Sequence, residues 1–427
     1  MISAPPLGSI ARSSTKLLDG RQSAIRRRFR HQSAVRKLLP HERVSDCCWT
    51  PVPDAVGIDV VQYDNGSTGY QRLQQCNSVW ACPVCAARIG RERHEQAQKT
   101  INGSMMDGYH VVMATLTMRH SAYDTAPKLL ESMLGTTGNR KGTAWDKLIS
   151  GGRWSRFCKK YGYVGRIRSL EVTHGENGWH PHLHILLVLE DKADLEDLWY
   201  DLAHMWLDAL ERVGRDGEAE AAVHVTDADK DIADYIAKWG REPKADNRWG
   251  AARELTSQTI KRANEGGRTP AQLLELYSDM GDKKAGALFK EYALAFKGER
   301  QIVISQGLRK LYLTDDDSAG DDDDEFNIMA TLSRSLWNDI RAMGLRGELL
   351  EAASESAEQL KTFLREYNMP DALPISPDMT PPPPSSPGSS VTVWLSPPPE
   401  PPPPRLAYYR AIGAVGASEP PPTQTNF

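Results

Sequence analysis

The run Trp179-His180-Pro181-His182-Leu183-His184-Ile185-Leu186-Leu187 places three of the chain's eleven histidines at alternate positions and leads into an apolar stretch. In an extended strand, residues i and i+2 point to the same side. His182 and His184 therefore present two imidazoles on one face, while Leu183, Ile185 and Leu187 face a core. Two neighbouring imidazoles on a rigid strand begin a divalent-cation site. The pattern at 168–174 opposes Glu171 and Thr173 to Leu170 and Val172, which makes Glu171 the candidate third ligand. His180 competes for that place, its direction left open by Pro181. Imidazoles and a carboxylate, with positions remaining for water, suit Mn²⁺ or Mg²⁺.

About fifty residues further on, 229–239 has helical character, with Ile232, Ile236 and Trp239 forming one stripe. Helical spacing puts Asp231 (i−4) and Lys238 (i+3) on the face of Tyr235. A phenol, with a pKa near 10, ionises far more readily than a serine hydroxyl, and a nearby ammonium and cation help further. Cation and phenol together suit metal-assisted cleavage of a nucleic-acid phosphodiester, with Tyr235 as nucleophile and Lys238 and Asp231 beside it.

Cys76-x5-Cys82-Pro83-Val84-Cys85 offers three thiolates, and Cys47-Cys48 lies about thirty residues upstream. Four sulfurs in this arrangement predict a structural zinc site. Cys48 is taken as the fourth ligand, with Cys47 as the alternative. Cys158 is read as an ordinary helix residue. Six cysteines in 427 residues do not make a disulfide framework.

The elements that must position these groups follow from polarity. Strand patterns at 110–118, at 168–174 and after Pro181 each have an apolar side and a side with polar groups. The economical arrangement is an α+β domain with an antiparallel sheet, helices on one face and the site on the other. Helices over 143–161 and 192–213 supply the cover. Further helices are expected at 270–280 and 283–296, and a strand at 300–305 precedes Gln306-Gly307-Leu308-Arg309.

The net charge of −4 conceals an asymmetry: residues 1–45 carry ten Lys/Arg against two acids, and 313–427 carry seven against eighteen. The expected division is a basic disordered arm (1–45), a cysteine-rich zinc module with a following helix (46–107) and the sheet domain (108–312). An acidic linker (313–325), a helical segment (326–369) and a proline-rich disordered tail (370–427) complete it. The tail holds 18 of the 28 prolines. The arm's Arg26-Arg27-Arg28-Phe29-Arg30 cluster either tracks phosphates or is a solvated leader. No run approaches the roughly 18 apolar residues of a membrane span, and the basic N-terminus lacks the apolar core of a secretory signal, so a cytoplasmic location without membrane partners is expected.

These motifs resemble the rolling-circle plasmid replication initiators of the HUH endonuclease superfamily. Ala114-Thr115-Leu116-Thr117-Met118-Arg119-His120 is similar to the family's first motif, and the stretch from Glu171 to His184 is similar to its histidine motif. Tyr235-Ile236-Ala237-Lys238 resembles its Tyr-x-x-Lys, and Cys76–Cys85 and Ser305–Arg309 also look like the family. The resemblance implies a five-stranded antiparallel sheet flanked by helices, with 108–312 as the nuclease domain. It implies nicking and rejoining of origin DNA, single-stranded or extruded as a hairpin. His182 and His184 hold the metal, Tyr235 becomes linked to a 5′-phosphate, and the free 3′-OH primes a host polymerase. Asp231 stands where some relatives carry a glutamate that activates water. The absence of a Gly-x4-Gly-Lys-Ser/Thr loop leaves unwinding to a host helicase. The alternatives are a transposase or mobilisation relaxase on the same fold, or a non-catalytic DNA-binding repressor.

Overall fold

The computed structural model describes residues 16–136, 138–228, 267–314 and 325–367, together with the backbone of 372–373. Its N-terminal part forms α1 (Lys16–Leu38), β1 (Gly57–Tyr63), β2 (Thr68–Gln71) and α2 (Pro83–Met106). Next come β3 (His110–Leu116), α3 (Ala126–Leu134), α4 (Ala144–Leu148), α5 (Gly151–Lys160), β4 (Tyr163–Gly175), β5 (Gly178–Leu189), α6 (Leu195–Glu211), α7 (Ala219–Ala222) and β6 (Val223–Asp227). After residue 266 follow α8 (Pro270–Met280), α9 (Lys283–Ala295), β7 (Ile302–Ile304) and α10 (Gln306–Tyr312). The C-terminal elements are β8 (Phe326–Ser333), α11 (Arg334–Met343), α12 (Arg346–Glu355), α13 (Ala357–Glu366) and β9 (Ala372–Leu373).

The five-stranded sheet runs β6-β3-β5-β4-β7, antiparallel throughout, so the α+β expectation and its central sheet hold. Register fixes what shares a face. Thr115 pairs with His184, Ser169 with His184 and Glu171 with His182. These residues lie on one side, and Leu116, Leu170, Leu183 and Ile185 lie on the other, in the main core with α3, α6 and α9. Pro181 falls beyond the end of β3, whose last pair is Leu116 with Leu183, so β5 has a neighbour there only in β4.

The site-bearing face is not bare, as a one-sided cover would leave it. Ala97 and Ile101 of α2 and Leu308 of α10 pack on Val111, Ile167, Leu186 and Val188. This covers the half of the face away from the histidines. The helix expected over 143–161 is two helices, because Gly151 adopts φ 75° after an extended Ser150. Asp194 caps α6 through the backbone N–H groups of Glu196 and Asp197, and Thr269 closes a capping box with Gln272 on α8.

Two expectations are corrected. Residues 16–38 are helical, not a disordered arm: α1 buries Phe29, Ala34 and Val35. Its basic cluster is engaged in folding, with Arg26 paired to Glu351 and Arg30 to Asp279 at 3.0 Å. A Cβ on Gly347 would lie 2.8 Å from the Arg26 Cα, so a glycine permits α12 to approach α1 this closely. Likewise, 326–369 is not wholly helical, since β8 pairs along all of β1 in a second sheet ordered β2-β1-β8-β9. That sheet ties the cysteine module to the C-terminal segment. The acidic stretch 315–324 and all of the proline-rich tail but the 372–373 backbone lie outside the described residues. Among the described residues, no helix is long and apolar enough to cross a membrane.

Candidate metal centres

Among the described residues, two clusters could hold a cation. On the histidine-bearing half of that face, Glu171 Oε2 lies 3.2 Å from His182 Nε2 and 3.5 Å from His184 Nε2. One donor atom from each of the three falls within 4.8 Å of the others. The opposite ring nitrogens are held: His184 Nδ1 lies 2.9 Å from Thr115 Oγ1, and His182 Nδ1 lies 3.2 Å from the His180 carbonyl oxygen. Such outer hydrogen bonds fix ring orientation and turn both Nε2 atoms toward one point. Burial pushes the Glu171 carboxyl up, but hydrogen bonds from His182 and His184 outweigh it and hold the group below the usual carboxylate range. An anionic carboxylate facing two imidazole nitrogens is a donor set that fits a divalent cation with water in its remaining positions.

His180 stands outside this group. Its Nδ1 lies 2.8 Å from His120 Nε2, and His120 Nδ1 lies 2.9 Å from the Asn177 carbonyl oxygen. Burial, with His182 and His120 adding to it, pushes the His180 pKa down to about 3. The geometry therefore brings Glu171, not His180, to the pair. Thr115 and His120 were not singled out from sequence, although both sit in the segment 114–120. The signal for Thr115 was its place on the polar side of an alternating strand.

The second cluster joins Cys47, Cys76, Cys82 and Cys85, all buried. Their sulfurs lie 3.4 Å (Cys47 to Cys85), 3.5 Å (Cys82 to Cys47) and 3.8 Å (Cys76 to Cys85) apart. A tetrahedral ZnS4 centre with bonds of about 2.3 Å has edges of about 3.8 Å, so the donor set and spacing fit such an ion. Hydrogen bonds from the Cys47, Cys76 and Cys82 thiols, acting against burial, hold Cys85 far below the usual thiol range.

The choice of Cys48 is corrected to Cys47. The Cys48 Sγ lies 4.0 Å from that of Cys47 and outside the group. Cys48 has φ 47°, its N–H donates to the Gln74 carbonyl oxygen and its own carbonyl accepts from Arg346, so the backbone turns this side chain away from the cluster. Gln32 of α1 donates to the Cys47 carbonyl oxygen at 2.5 Å, placing the helix mistaken for an arm directly behind the site. Cys82 caps α2, accepting from the Cys85 N–H, with Pro83 in the first turn.

Residues 70–341 match the family described as Replication protein. The chain belongs to that family. A relative named "Protein rep", from Streptomyces lividans, is 29% identical over 328 residues, which is 63% of this chain and 70% of the relative. A "Neomycin resistance protein" from Streptomyces cyanogenus is 30% identical over 159 residues, 33% of this chain and 36% of that protein. No solved structure matches. The span matched to the Replication protein family includes Glu171, His182, His184 and three of the four clustered cysteines; Cys47 precedes it. Tyr235, Lys238 and Asp231 also fall within it, but lie outside the described residues.

Proposed function

We propose that this replication protein starts rolling-circle copying of a plasmid by nicking one DNA strand at an origin with Tyr235, on an HUH-type nuclease domain. The observation that carries the reading is the convergence of His182 Nε2, His184 Nε2 and Glu171 Oε2 on one point of the sheet. A divalent cation held there, Mn²⁺ or Mg²⁺, supplies positive charge that polarises the scissile phosphate. Glu171 contributes the negative charge that favours a cation over a bare phosphate, and Thr115 keeps the His184 ring turned to it.

Reach supports the nucleophile. The Ala228 N–H donates to the Val111 carbonyl oxygen, four residues along β3 from Thr115, or about 13 Å in a strand. Tyr235 stands seven positions beyond Ala228, about 10 Å along the helix expected over 229–239 and at most about 24 Å if extended. At the other end, Arg268 bridges with His174, three residues from Glu171. Both fixed ends of segment 229–266 thus lie on strands that flank the candidate centre.

In the proposed step the Tyr235 oxygen attacks phosphorus, its proton passes to Asp231 or water, and the bond to the 3′ oxygen breaks, that oxygen taking a proton from water to leave as the 3′-OH. Lys238 orients the phosphate and offsets charge on the phenolate. One phosphodiester replaces another, so the 5′-phosphotyrosine link can be resealed by the 3′-OH once a host polymerase has used that end. The Cys47, Cys76, Cys82 and Cys85 cluster holds a structural Zn²⁺ in this reading, and a host helicase unwinds the duplex. The test is incubation with Mn²⁺ and single-stranded or hairpin origin DNA. The wild type is expected to form a denaturation-resistant adduct and Tyr235→Phe to bind without forming one. An adduct that persists in Tyr235→Phe refutes the assignment.

A further inference from the structure

A polar cleft of about 530 Å³ lies between α3 and the end of α6, on the side of the sheet away from the histidines. Lys128, Lys141, Arg212 and Arg215 line it against one carboxylate, Glu131. Among the described residues, Lys128 and Lys141 take part in no ion pair. Arg212 shares the single carboxylate of Asp208 with Arg153, at 3.0 and 3.1 Å, so that pairing leaves one positive charge uncompensated. A concentration of cations in a chain of net charge −4 calls for an anion from outside.

The cleft is joined to the candidate catalytic centre by a braced turn. Arg215 donates to Asp124 at 2.8 Å and to Ser132 at 3.2 Å. Asp124 in turn accepts from both the N–H and the hydroxyl of Ser121, each at 3.0 Å. The Ser121 carbonyl and Ala122 Cα crowd Gly178 at the start of β5, within 3.0 Å of where a Cβ would stand. His120, next in the chain, meets His180, two residues from His182. At the crest of this turn Tyr123 is 97% exposed. A tied-down turn that holds an aromatic ring in water between a metal centre and a cationic cleft has the parts of a single-strand track: a ring for an unpaired base and cations for the backbone.

We propose that the turn and cleft form a subsite for single-stranded DNA that leads away from the scissile phosphate past the 120–124 turn, with a base stacked on Tyr123 and backbone phosphates seated by Lys128 and Lys141. The proposal rests on the nicking reading and deepens it. Unpaired bases are required because a duplex offers no free face to the ring, which commits the site to a single strand.

The two parts have different signatures in fluorescence anisotropy with a labelled mixed-sequence oligonucleotide and the same sequence as duplex. Lys128→Glu/Lys141→Glu is expected to flatten the slope of log K against log salt by about 1.4 on the single strand, at about 0.7 per lost phosphate contact. Tyr123→Ala is expected to weaken single-strand binding about tenfold with the slope unchanged, since stacking releases no counterions. Unfolding midpoints equal to wild type show that the variants fold, and Lys128→Gln/Lys141→Gln repeats the slope test without reversing charge. Wild-type affinity and slope in all variants overturn the proposal, as does an equal loss on duplex and single strand. If these shifts occur while the wild type forms no tyrosine adduct, the nicking reading fails and the subsite stands. If adducts form and binding is unchanged, the subsite alone fails.

Discussion

Replacing Cys47 by serine is expected to strip the structural metal, whereas replacing its neighbour Cys48 leaves it in place. Cys47 Sγ sits 3.4 Å from Cys85 and 3.5 Å from Cys82, at one corner of the tetrahedron, and Cys48 Sγ lies outside it. Structural zinc sites contribute about 10–16 kcal/mol of apparent binding energy, or about 3 kcal/mol per ligand. Loss of one thiolate from such a site costs at least that much folding stability by linkage. For a domain of this size it lowers the unfolding midpoint by about 5–10 °C. Cys48→Ala removes only a small buried thiol, about 1 kcal/mol, and keeps the φ of 47° that a Cβ tolerates poorly. Cys48→Gly relieves that conformation and is expected nearer wild type. The assay is zinc per chain by elemental analysis after purification in reducing, chelator-free buffer, paired with thermal unfolding. Wild type, Cys48→Ala and Cys48→Gly should each carry about one zinc for their four ligands, and Cys47→Ser much less. Zinc retained by Cys47→Ser and lost from Cys48→Ala refutes the geometry, and a zinc-free wild type refutes the site.

His182→Ala and His184→Ala are each expected to abolish Mn²⁺-dependent nicking while leaving DNA binding; undiminished cleavage by either removes that residue from the centre. Thr115→Val keeps strand shape but deletes the partner of His184 Nδ1, so Mn²⁺ affinity measured by calorimetry should fall about 10–100-fold. Unchanged affinity shows that this hydrogen bond does not orient the ring.

The convergence of Glu171, His182 and His184 was legible because every signal for it is local. A period of two on one strand, an acid on the neighbouring strand and a proline marking the entry were enough to bring Glu171, His182 and His184 together. The choice between Cys47 and Cys48 was not legible, since adjacent residues differ there only by a backbone rotation at Cys48. The two missed elements share one cause. β8 carries Asn327, Thr331 and Ser333, and it becomes a strand because β1, more than 260 residues earlier, offers its edge. α1 has ten charged or histidine side chains in 23 residues, which reads as a solvated arm. It folds because Glu351 and Asp279 receive Arg26 and Arg30, and Phe29 meets Tyr70 edge-on at 5.9 Å. Both elements acquire their structure from partners far along the chain, and both converge on the cysteine module: α1 through Gln32 to the Cys47 carbonyl, and the C-terminal segment through Arg346 to the Cys48 carbonyl. Metal uptake by the Cys47 cluster is therefore expected to report on the docking of α1 and of α12 against the cysteine module.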